Sequence, residues 1–114
     1  MTDQQVARGS AVKGPDLLGP HDYRPYVCLS TGNPPFRDKE AVHAAVTTTP
    51  RSAAIPLAET DFTSGGLPRE SYVNPWVLVT IKHADIQGIE GHLAEDTVEQ
   101  IARKAAINIG ALAD

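Results

Sequence analysis

Arg24, His21 and the threonine run Thr47-Thr48-Thr49 are the residues of this chain whose types and placement suit a chemical step. A guanidinium presents a fork of donors that matches a phosphate or a carboxylate. A threonine hydroxyl can hold a phosphate oxygen, and a histidine can give or take a proton near neutral pH. The reaction that suits such a set is metal-free cleavage of RNA by its own 2′-hydroxyl. That chemistry needs a group to take the 2′-OH proton, a group to protonate the leaving 5′-oxygen, and donors for the charge of the phosphorane. The plainer readings are a surface salt bridge of Arg24 with Asp22 or Glu40, and simple β-propensity for the threonines.

Other chemistries find no footing. No Gly-rich phosphate loop opens a helix, no paired Cys or His set has zinc spacing, and no nucleophile elbow is present. His83 and Asp85 make two metal ligands without a third, and His43 and His92 read as ordinary strand residues. The lone Cys28 cannot form an internal disulfide and falls in a strand pattern, so it reads as a buried structural thiol in a reduced setting. No cofactor and no metal is expected. A cytoplasmic location is expected, from the absence of a signal pattern and of any apolar run near the ~18 residues of a membrane span.

The formal net charge of −4 weighs against a nucleic-acid partner, but its distribution does not. Residues 1–82 hold eight Lys/Arg and eight Asp/Glu, whereas residues 83–114 hold two against six. All the excess negative charge therefore belongs to the C-terminal part. Arg24, Arg37, Lys39, Arg51 and Arg69 fall in predicted loops or strand ends of the neutral part, where they could converge on a phosphate chain.

The elements that must position these residues follow from periodicity. Residues 1–114 read as one domain, with residues 1–5 frayed. A first strand is expected over Val6 to Val12, ended by Gly14-Pro15-Asp16. Pro25 is confined to a strand start or edge, and it holds Arg24 extended at the mouth of a strand over Tyr26 to Ser30. A third strand runs from Ala41 to Thr49. Val42, Ala44 and Val46 give it a core face, which turns His43, Ala45 and Thr47 the other way. Ala54 to Ala58 is a short edge strand around Pro56, and Thr60 to Ser71 is a long polar loop. Tyr72 to Ile81 is a strand with a bulge or kink at Asn74-Pro75, and Ile89 to Leu93 a short final one. Glu95 to about Leu112 is a helix with an apolar stripe of Val98, Ile101, Ala105, Ile109 and Leu112. Leu93 and Val98 are spaced as a hydrophobic staple. The fold class is mostly β with a C-terminal helix: a small, strongly bent antiparallel sheet or barrel. A core this small with Pro-broken edges often completes its burial in a second copy.

The chain resembles the MazF/PemK-like family, the ribonuclease toxins of type II toxin–antitoxin systems. The resemblance runs through Arg8-Gly9, Arg24-Pro25, Ala44-Ala45-Val46-Thr47, Ile55-Pro56-Leu57, Gly65-Gly66-Leu67-Pro68, Ser71-Tyr72-Val73, Thr80-Ile81 and Gly91-His92-Leu93, in order. It implies an SH3-like barrel of antiparallel strands, a homodimer, metal-independent cleavage of single-stranded RNA at short sequences, and a cognate antitoxin partner. It places the family's catalytic arginine on Arg24 and its threonine on Thr47, with His21 standing near a loop histidine of some members. Thr48, Arg37, Arg51, Arg69 and Trp76 are the expected RNA contacts. Ser10, where the family carries an acidic residue, and the strand that reads Asn74-Pro75-Trp76, on which some members place an arginine and an aspartate, depart from the pattern. These departures motivate an alternative: a non-catalytic dimeric module of MazF/CcdB-like fold that binds RNA or gyrase.

Overall fold

The two longest apolar alternations of the chain make its two longest strands, and these pair with each other. The computed structural model describes residues 5–114, so the expected fraying of residues 1–5 falls, but for Gln5, outside the described residues. The strands are β1 (Ser10–Pro15), β2 (Tyr23–Cys28), β3 (Glu40–Thr47), β4 (Ile55–Leu57), β5 (Phe62–Gly65), β6 (Ser71–Lys82) and β7 (Gly88–Leu93), followed by helix α1 (Glu95–Asn108). They form one antiparallel sheet in the order β4-β6-β3-β2-β1-β7-β5. The longest ladder joins β3 to β6, from Glu40↔Lys82 to Thr47↔Tyr72.

Side chains alternate across a strand, and here both sides are buried because the sheet curls into a half-barrel. On one side Val27, Ala44, Val46 and Val73 meet Val98 and Ile101 of α1. On the other, Val12, Tyr26, Cys28, Ala45 and Ile81 close around Val6. This is the mostly β, barrel-like architecture with a C-terminal helix that the sequence predicts.

Several local expectations change. β3 has no solvent face: Ala45 is fully buried in the second cluster, and His43 is fully buried edge-on to the Tyr26 ring. Val42, expected in the core, is half-buried. The first strand begins at Ser10 and runs through Gly14-Pro15 rather than stopping there. Pro15 pairs only with Tyr23, beyond the last β7 rung at Lys13↔Gly88, so its missing N–H costs no ladder bond. The long polar loop contains β5, an edge strand paired to β7. The Asn74-Pro75 kink is a wide bulge. Leu78 faces Ala44 and Asn74 faces Ala45, leaving Pro75, Trp76 and Val77 without partners on β3.

α1 ends at Asn108, four residues short of the predicted stop. Gly110 takes φ 83° and the Ala111 N–H donates to the Ala106 carbonyl at 2.8 Å, a glycine-terminated C-cap. Ile109 and Leu112 therefore lie exposed past the helix. At the other end Leu93 and Val98 meet in the core, as the staple spacing requires.

Candidate active site

Pro25 decides where the β2–β3 ladder stops. The pairs run Cys28↔His43, Val27↔Ala44 and Tyr26↔Ala45. The next rung would set Pro25 against Val46, and proline has no N–H to offer. The Val46 carbonyl instead accepts from Nη2 of Arg24 at 2.8 Å. A missing backbone donor is thus replaced by a side-chain donor from the preceding residue.

A second anchor holds the same guanidinium. Nη1 of Arg24 lies 3.7 Å from Oδ1 of Asp16, whose side chain is only 2% exposed. Asp16 opens the β1–β2 loop and organises it. Its Oδ1 accepts from the N–H groups of Leu18 (3.0 Å) and Gly19 (2.9 Å), and its Oδ2 from that of His21 (3.1 Å). Burial works to raise the Asp16 pKa. The N–H groups of Leu18 and His21, the Arg24 guanidinium and the Gly19 N–H outweigh it, and the carboxyl is held below its ordinary range. Beneath the loop, the fully buried Tyr26 donates its hydroxyl to the Pro15 carbonyl at 2.6 Å and accepts from the Leu17 N–H at 3.3 Å. Burial raises the Tyr26 pKa, so the phenol stays protonated and able to donate.

Two anchors leave most of the five guanidinium N–H groups of Arg24 unmet. Its Nε–H is buried without a partner among the described residues, while the side chain as a whole keeps 21% exposure. An anion reaching such donors gains hydrogen bonds whose desolvation cost is already incurred. Arg24 lines an open cleft of about 720 Å³ between the β1–β2 loop, the end of β3 and the β5–β6 loop. Thr47 and Thr48 line it too, at the point where β3 emerges from the two cores. The Thr47 hydroxyl accepts from the Thr49 N–H at 3.1 Å, which turns the chain at the cleft wall and leaves the hydroxyl proton free to donate. His21 and Arg69 complete the set, with the imidazole exposed.

The cleft thus gathers Arg24, Thr47, His21, Thr48 and Arg69 out of the sequence-predicted residues. Three others are placed elsewhere. Arg37 is spent on the fold: Nε donates to the Thr31 carbonyl at 3.0 Å, and Nη2 reaches the Val6 carbonyl and Sγ of Cys28. Arg51 sits in the exposed turn after the threonine run, outside the cleft lining. Trp76 projects from the β6 bulge, also away from the cleft. Of the departing positions, Ser10 and Asn74 are buried in the sheet and neither lines the cleft.

Sequence reasoning missed Asp16, Lys13, Tyr23 and Glu90, all of which line the cleft. Asp16 had a signal in its place after Gly-Pro, a turn in which an aspartate caps the following N–H groups. Among the described residues, no three His, Cys, Asp or Glu gather as a metal site. The two other histidines of the interior serve packing. His43 has its Nδ1 3.0 Å from the Ala41 carbonyl, and burial lowers its pKa to about 4. His83 accepts from the Val6 N–H at Nδ1 (3.2 Å) and lies 2.8 Å from the Arg37 carbonyl at Nε2. Cys28 is buried, which raises its thiol pKa.

No family model and no curated protein matches the sequence. Solved structures do match the fold. An endoribonuclease from a mycobacterial species superposes at TM-score 0.72 with 20% identity, covering 94% of this chain and 93% of that one. A mycobacterial endoribonuclease in complex with its cognate antitoxin gives 0.70 and 18%, covering 93% and 94%. The Mycobacterium tuberculosis toxin MazF-mt6 gives 0.66 and 23%, covering 92% and 98%. At these identities the likeness is one of fold, over nearly the full length of each chain.

Proposed function

We propose that this fold carries a metal-independent endoribonuclease acting on single-stranded RNA. The observation that supports it is a guanidinium fixed from two sides with donors unmet, facing a cleft shared with a threonine hydroxyl and an imidazole. In the reaction the 2′-oxygen forms a bond to phosphorus and the P–O5′ bond breaks. The 2′-OH proton leaves to a base and the 5′-oxygen takes one from an acid, giving a 2′,3′-cyclic phosphate and a 5′-hydroxyl. Arg24 stabilises the charge of the phosphorane and Thr47 orients a non-bridging oxygen. His21 is the proton carrier, since Asp16 already accepts three N–H groups and an ion pair. Thr48 and Arg69 hold neighbouring phosphates along the cleft.

The protein works as a cytoplasmic toxin, a homodimer held in check by a protein antitoxin that covers the cleft. The full-length likeness to an endoribonuclease bound to its antitoxin supports this setting. End-resolved cleavage of mixed single-stranded RNA in EDTA tests the reading. Wild type should cut and leave cyclic phosphates, and Arg24→Ala should lose at least ~10²–10³-fold in rate, the cost of one oxyanion donor. Equal cleavage by both proteins removes Arg24 from the site. Absence of cleavage by pure wild type, with tight RNA or gyrase binding retained, replaces the enzyme by a binding module of the same fold.

A further inference from the structure

Six aromatic residues must serve the whole chain, and their placement singles out one. Tyr26 is fully buried, Phe62 packs against the core, and Phe36, Tyr72 and Trp76 stand outside the cleft. Tyr23 alone among them both lines the cleft and is substantially exposed, at 45%. It is also the residue before Arg24. Successive strand residues point to opposite sides of the sheet, so ring and guanidinium flank the β2 start at one end of the cleft. The ammonium of Lys13 stands over the ring, 5.0 Å from its centroid. Lys13 is itself exposed, lines the cleft and makes no ion pair among the described residues.

An exposed aromatic face, a cation beside it and an anchored arginine across the strand are the three contacts that a nucleotide needs. An aromatic face accepts any base by stacking, and a cation tracks the backbone. Resting on the ribonuclease reading above, we propose that Tyr23 is a stacking platform for a nucleobase next to the scissile phosphate. Lys13 holds one ring face and pairs with a flanking phosphate, while the other ring face takes the base. Tyr23 is a substrate-positioning residue with no proton to transfer. It gives the cleft a sequence-tolerant grip that its few aromatics otherwise lack.

The test uses full-length protein and single-stranded RNA with 2′-fluoro sugars, which lack the attacking hydroxyl. 2-Aminopurine is placed at each position of the strand in turn. Wild type should bind and quench one position selectively. Tyr23→Ala should weaken binding by roughly 5- to 150-fold, about 1–3 kcal/mol, and abolish quenching at that position. Tyr23→Phe and Tyr23→Trp should retain both signals, which a loss of fold would not allow. Tyr23→Ala should leave the salt dependence of binding unchanged, whereas Lys13→Ala should reduce its slope by about one. Wild-type binding with an unaltered quench in Tyr23→Ala overturns the stacking role and leaves the ribonuclease standing. No binding by wild type even at low salt overturns both.

Discussion

Replacing Tyr26 by Phe removes one oxygen atom and should loosen the loop that anchors Arg24. The hydroxyl makes two hydrogen bonds to the chain on either side of Asp16, to the Pro15 carbonyl and from the Leu17 N–H. A net hydrogen bond contributes ~0.5–1.5 kcal/mol, and a buried group left without its partner costs ~1–3 kcal/mol. Leu17 is exposed and its N–H can turn to water, so only the Pro15 carbonyl bears the heavier penalty. The two add to about 1.5–4.5 kcal/mol. At roughly 3–6 °C per kcal/mol for a chain of this size, the midpoint of thermal unfolding should fall by ~5–25 °C. The benzene ring is retained, so the core beneath the loop stays filled and no cavity term is added. Activity well below the melting range should fall by ~10-fold, a part of the 10²-fold that a displacement of an ångström costs. Circular dichroism melts and RNA cleavage on the same preparations give both readings. An unchanged midpoint would refute the claim that Tyr26 pins the loop. A lowered midpoint with undiminished activity would refute the link from the loop to Arg24.

Three further outcomes are expected. Asp16→Asn should destabilise the protein at neutral pH. The native carboxyl is held below its ordinary range, so its contribution is full above the unfolded value of about 3.9 and is lost as pH falls through the folded one. The gap between wild type and variant should therefore close in acid, and a constant gap down to pH 2 would contradict the ion-pair and N–H assignment. His43 is neutral in the fold down to about pH 4, whereas an unfolded histidine takes up its proton near 6.5. Stability should thus decline from pH 6.5 to 4 by about 3 kcal/mol in total, and His43→Leu should flatten that decline in denaturant titrations. Gly65→Ala should cost ~2–4 kcal/mol, because Gly65 has φ 62° and a Cβ there would press on the Glu90 carbonyl and lie 2.7 Å from Cα of Gly91. Its effect should show first as faster amide exchange along β5 and β7.

Much of this fold was legible because its long strands alternate cleanly and its helix carries a single apolar stripe. The stretch Tyr72 to Ile81 even announced its bulge, since proline cannot sit in an unbroken ladder. What hid β5 was composition. Phe62-Thr-Ser-Gly has one apolar residue, and its pairing with β7 is a tertiary event that no local pattern encodes. The double burial of β3 was hidden for a related reason, because sheet curl converts an outward face into a second core. The place of Arg24 in the cleft was legible from the Arg-Pro pair, whereas the parity that turned Thr47 outward holds only at the end of β3, since His43 and Ala45 on the same side are buried. Arg37 was misread because a loop cation looks the same whether it meets phosphate or, as here, a thiol, two carbonyls and a ring nitrogen of its own chain. Asp16 was missed because its work is done on backbone N–H groups, which every sequence possesses.

The anchor that Arg24 finds on Val46 has a consequence for how this protein can drift. A carbonyl is common to all twenty residue types, so no single exchange at position 46 can delete it, and side chains there are free to follow the needs of the core. The vulnerable partner is Pro25. A residue with an N–H at that place could let β2 and β3 zip one rung further and claim the same oxygen. Reversion of an inactive Pro25 variant would then come from sites that pry the strands apart, rather than from sites that add a new ligand to the arginine.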